Sequence, residues 1–144
     1  MSRKTSSEAP LEAAQTPRPA RKSEEKARET ALQIAAAALE KKALHVEILD
    51  VRGKVDYTDF VVIMSGRSDR QVNAIASGVR DIMKLEHDEI CNGLEGLPQG
   101  HWVLMDYGDV VVHVFHQDTR GYYDLEALWI DATRVEFDDS TAED

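Results

Sequence analysis

The sequence predicts an α/β domain, a mixed β-sheet with helices packed on its faces and its elements in the order α-β-β-α-β-β-β-α. Three observations carry that prediction. The run Phe60-Val61-Val62-Ile63-Met64 is apolar at every position, as in a central strand covered on both faces. Val72, Ile75, Ala76, Val79, Ile82 and Met83 recur at three and four residues, the period of an amphipathic helix. The stretch HWVLMDYGDVVVHVFH, His101 to His116, reads as two apolar strands joined at Asp106-Tyr107-Gly108-Asp109, and such a hairpin makes the sheet mixed.

The elements follow in order. A first helix opens at Thr30, which with Gln33 has the spacing of a capping box, and Leu32, Ala35, Leu39 and Ala43 mark its face. A strand from His45 to Val51 ends at the turn signal Arg52-Gly53, and the Phe60 run is the second strand. Ser68 and Gln71 repeat the capping-box spacing and open the second helix. Gly78 inside that helix costs about 1 kcal/mol relative to alanine, which marks a close helix–sheet contact. A short strand near Glu89-Ile90-Cys91 precedes a Gly/Pro loop from Asn92 to Gly100 and then the hairpin. A closing helix near Arg120 to Ile130 carries Tyr122, Leu125, Leu128 and Trp129 against the sheet.

At 144 residues the chain has length for one domain. The net charge of −10 gives it no general electrostatic reason to coat nucleic acid, and its partner should carry basic groups. Residues 1–28 hold seven Lys/Arg against four Asp/Glu, a net +3, which leaves −13 for residues 29–144. With Pro10, Pro17 and Pro19 and no periodic apolar face, residues 1–28 read as a disordered tail, residues 29–134 as the folded domain and residues 135–144 as an acidic tail. Glu8, Glu12, Glu24 and Glu25 speak against an organelle transit peptide. A lone Cys91 suits a reducing compartment, and no apolar run approaches membrane-spanning length; the expected location is the cytoplasm, with no membrane partner.

Enzyme chemistry finds weak support. Ser65-Gly66-Arg67-Ser68 at a strand-to-helix junction offers a helix N-terminus to a phosphate but matches no glycine-rich phosphate motif. Asp56 with Asp59 and Asp106 with Asp109 are carboxylate pairs of the kind magnesium-dependent phosphoryl transfer uses, yet neither is a D-x-D on one strand face. His113 and His116 fall on opposite strand faces without cysteine partners, and Cys91 has no local base, so no metal site, catalytic residue or cofactor is expected.

The hairpin is different. Trp102, Leu104 and Asp106 alternate onto one strand face and Val103 and Met105 onto the other, so Trp102 shares its face with an acid. From the residues alone, Trp102 reads equally as a core ring or as a contact. With Tyr107 and Asp109 at the turn, the stretch presents an aromatic spot ringed by negative charge, a pattern suited to a basic partner.

The same residues resemble the ribosomal silencing factor family, also called the Iojap family. The resemblance rests on Ala43 to Val51 with Asp50-Val51-Arg52-Gly53, Tyr57-Thr58-Asp59-Phe60, Ser65 to Val72, Glu95-Gly96-Leu97, Gly100 to Phe115 and Tyr122 to Trp129, and spans about residues 30 to 131. It implies a nucleotidyltransferase-like fold without the catalysis, and docking on a protein of the large ribosomal subunit that blocks the small subunit and represses translation when nutrients fall. It also implies apolar contacts from Trp102, Tyr107 and Tyr123 with Asp106 and Asp109 as acidic neighbours, no sequence-specific binding of nucleic acid, and it allows a homodimer when free. The rival reading is a magnesium-dependent nucleotidyltransferase-like enzyme using one of the carboxylate pairs.

Overall fold

In the computed structural model, residues 18–96, 101–123 and 132–137 are described, with side chains for 25–96, 101–120 and 132–137. The all-apolar run forms strand Phe60–Gly66 (β2), buried at every position. It pairs in parallel with Val110–His116 (β5) and antiparallel with Leu44–Asp50 (β1). Trp102–Asp106 (β4) lies on the other side of β5, followed by Gly93–Glu95 (β3), and Thr133–Arg134 (β6) borders β1, so among the described residues the strand order is β3-β4-β5-β2-β1-β6. The sheet is mixed, as the hairpin required, and the chain order is that expected with one short strand added at the end.

Helices Arg18–Glu40 (α1) and Asp69–His87 (α2) cover one face. Ala31, Ile34, Ala35 and Ala38 of α1 and Val72, Ile75, Val79 and Met83 of α2 join Ile48, Val62, Met64, Val103, Met105, Val112 and Val114 in the main core. The alternate residues Leu49, Val51, Val61, Ile63 and Phe115 form a second cluster on the opposite face. A third helix, Gln117–Tyr123 (α3), packs on that second face. There Arg120 Nη1 donates to Ser65 Oγ at 2.9 Å and to the His45 carbonyl at 2.7 Å.

Ser68 caps α2 as expected, its hydroxyl accepting from the Gln71 backbone N–H at 3.1 Å, while the return bond of the box shifts by one residue to the Arg67 N–H. The box expected at Thr30 does not. Helix α1 begins at Arg18, and Thr30 is a buried residue inside it. Helix formers such as Ala27 and Arg28 continue the pattern upstream, and Ala27, Ala31, Ala35 and Ala38 line the buried stripe beside Ile34 and Leu39, so the apolar face begins ahead of its first large residue. Residues 18–28, expected to be tail, are therefore helical, and Val135, at the start of the expected acidic end, is buried with its N–H on the Ile48 carbonyl at 2.9 Å. The expected strand at Glu89-Ile90-Cys91 is also displaced. Asp88 takes a left-handed backbone, its C-cap N–H and that of Glu89 close on the Met83 carbonyl, and pairing with β4 starts only at Gly93. Gly78 lies against the side chain of Lys41 just beyond α1 rather than against the sheet. Of the expected closing helix, residues 124–130 lie outside the described residues.

Candidate functional site

Strand β4 divides its side chains as the alternation requires. Val103 and Met105 are buried under the helices, while Trp102, Leu104 and Asp106 stand half-buried on the second face. Phe115, the cross-strand partner of Trp102, presents its ring with a centroid separation of 4.9 Å. Diagonal to Trp102 is His113, and the indole Nε1 donates to its Nδ1 at 3.1 Å. An indole N–H can only donate, so Nδ1 is the acceptor and the neutral ring carries its proton on Nε2. Burial holds His113 down at about 4, against an ordinary value of 6.5. The histidine is 6% exposed, and its imidazole also stacks on Phe115 at 6.0 Å with an interplanar angle of 10°.

The turn differs from its expected form. Tyr107 is not at an exposed tip: it is 8% exposed and belongs to the main core under the helices. The alternation of β4 runs one residue further than the strand, and after Val103 and Met105 the next inward position is 107. The tip is Gly108-Asp109, both exposed, with Gly108 at φ +85°. Burial raises the Tyr107 phenol well above its ordinary value, and among the described residues its hydroxyl has no hydrogen-bond partner. Tyr107 is accordingly a core residue rather than a surface anchor.

The carboxylates separate into two kinds. Asp106 Oδ1 accepts from the Gly108 N–H at 2.7 Å, the side-chain turn that lets a short acid fold the chain. Asp109 is exposed, and its carbonyl accepts from the N–H groups of Asp59 at 2.9 Å and Phe60 at 3.1 Å. The two acid-containing loops thus meet at one end of the sheet. Asp56, exposed, and Asp59, half-buried, flank Tyr57, which is 61% exposed and is the aromatic that accompanies the acids at that end. Reading the loop pattern Asp-Tyr-Thr-Asp alongside Asp-Tyr-Gly-Asp would have raised Tyr57 as a candidate. The side chain of Tyr123 lies outside the described residues.

Ser65-Gly66-Arg67-Ser68 is occupied with helix capping: Ser68 Oγ accepts from the Gln71 N–H, and Gln71 Oε1 accepts from the N–H of Arg67. His101 sits 3.2 Å from Asp69, His116 Nδ1 accepts from the Asp118 N–H, and His113 holds Trp102. Among the described residues no three His, Cys, Asp or Glu side chains converge as a metal site, and no helix is long and apolar enough to cross a membrane.

Residues 24–144 match the family model described as ribosomal silencing factor during starvation. The chain is 47% identical to the ribosomal silencing factor RsfS of Halalkalibacterium halodurans over 108 residues, 74% of this chain and 92% of that protein. It is 46% identical to the RsfS of Bacillus subtilis, covering 74% of this chain and 91% of the relative. A crystal structure of a Bacillus halodurans protein superposes with a TM-score of 0.65 at 44% identity, covering 76% of this chain and 99% of the other. One from Chromobacterium violaceum gives 0.69 at 35% identity, covering 76% and 90%.

Proposed function

The chain belongs to the ribosomal silencing factor family, and on that premise we propose that it docks on a protein of the large ribosomal subunit and, by occupying that face, blocks joining of the small subunit and represses translation under nutrient limitation. The observation that supports this reading is the strip Trp102, Leu104 and Asp106, which stays partly exposed on the sheet face away from α1 and α2. A large ring flanked by an aliphatic side chain and acids is the composition of an interface centre with a charged rim. The chain's net charge of −10 favours encounter with a basic surface, as ribosomal proteins present between RNA segments.

In this reading Trp102 is the apolar anchor, and Asp109 and the acid-flanked Tyr57 steer the approach. Asp106 contributes charge while its carboxylate also builds the turn. Tyr107 supports β4 from beneath instead of touching the partner. Inhibition follows from occupancy, with no bond made or broken. Co-sedimentation with purified large subunits tests the docking step: the full chain should pellet with large subunits and not with small ones, and binding should weaken as salt is raised. Equal binding to both subunits would remove this reading.

A further inference from the structure

We propose that His113 is a positioning residue for docking, fixing the indole of Trp102 in the orientation that the partner meets. The inference rests on the reading of Trp102 as the anchor. Trp102 begins β4 and is partly exposed, and an indole at an open strand end has room to turn unless its neighbours hold it. Two contacts remove that room. The Phe115 ring lies beside it at 4.9 Å and 33°, and the N–H is tied to His113 Nδ1 at 3.1 Å.

The histidine is itself held. It lies in mid-strand between Leu104 of β4 and Ile63 of β2, and its imidazole is stacked almost parallel on Phe115. A leucine or valine there would fill the sheet face equally well. What imidazole adds is an acceptor aimed at the one polar atom of the anchor. Because burial keeps the ring neutral down to about pH 4, the acceptor persists at any ordinary cellular pH. A contact ring ordered before docking avoids the entropy of being ordered during it, an effect of about three- to tenfold in Kd for one side chain.

The test is a double-mutant cycle on the full chain, read by binding to purified large ribosomal subunits. His113→Leu should weaken binding about three- to tenfold in the native background and leave it unchanged when Trp102 is already phenylalanine, which has no N–H to hold. His113→Asn, whose carbonyl oxygen replaces the acceptor, should restore most of the loss. On the ¹⁵N-labelled wild-type chain, a coupling across the bond between Trp102 Nε1 and His113 Nδ1 should be observed, with the indole resonance assigned by its loss in Trp102→Phe. Absence of that coupling overturns the proposal, whatever the variants do. So does a His113→Leu loss that is the same in both backgrounds, which is the signature of general destabilisation, or no loss at all. If wild type itself fails to bind large subunits, the docking reading falls and this inference falls with it; a coupling present with no binding effect sinks the positioning role alone.

Discussion

The indole N–H of Trp102 donates to Nδ1 of His113 at 3.1 Å, joining the half-buried start of β4 to the buried middle of β5. Bonding and burial both require the imidazole to be neutral, so the relationship has a consequence for stability against pH. In the folded chain His113 takes a proton only near pH 4, whereas in the unfolded chain it does so near 6.5. Its contribution is therefore complete above pH 6.5 and declines as the pH falls from there to about 4, because over that window the unfolded state binds the extra proton. Wild type should lose about 2 kcal/mol more than His113→Asn between pH 7 and pH 5, measured by urea unfolding at each pH. Equal losses would mean that the ring titrates normally.

Tyr107 yields a pair of opposed outcomes. Its ring fills the main core and its buried hydroxyl has no hydrogen-bond partner among the described residues. Tyr107→Ala should cost about 3 kcal/mol of folding stability through the cavity it leaves. Tyr107→Phe should be neutral or stabilising by up to about 1 kcal/mol, since it removes only an unsatisfied polar atom. Denaturant midpoints decide this, and a Tyr107→Phe variant as damaged as Tyr107→Ala would contradict the burial described.

The two acids of the turn should part company on substitution. Asp109 is exposed, so Asp109→Lys should leave the unfolding midpoint unchanged while weakening large-subunit binding by about 1 kcal/mol, most visibly at low salt. Asp106 holds the Gly108 N–H, so Asp106→Lys should lower stability as well as binding, by about 1 kcal/mol each, and Asp106→Asn should recover the stability alone. Thermal unfolding beside a binding titration separates them; identical behaviour of the two sites would show that the turn bond carries no weight.

Much of this was legible in the sequence where the physics is local. The period-2 alternation of β4 and the unbroken apolar run of β2 fixed which side chains share a face, and Ser68 with Gln71 announced the start of α2. Thr30 misled because a capping pattern is permissive: it says where a helix can begin, and the alanine stripe from Ala27 onward carried the real helix past it. Tyr107 falls outside the turn because the strand's alternation continues through 107 and the chain bends at Gly108. The contacts that organise the second face were not legible at all. His113 meets Trp102 only because the hairpin's register puts them diagonal, and Arg120 reaches Ser65 and the His45 carbonyl across long stretches of chain. Such pairs depend on register and helix placement, which residue types alone do not specify.

The most direct measurement is subunit joining. Purified small and large subunits are mixed without nucleotide in the presence of increasing full-length protein, and the joined fraction is read by sedimentation. If inhibition is occupancy, joining should fall in proportion to the large-subunit sites filled and recover when the protein is washed away. Trp102→Ala, shown to be folded, should need about thirtyfold more protein for the same suppression, the equivalent of about 2 kcal/mol from a central anchor. Suppression that requires a nucleoside triphosphate and magnesium, that survives removal of the protein, or that fails to appear when every site is filled would contradict steric exclusion.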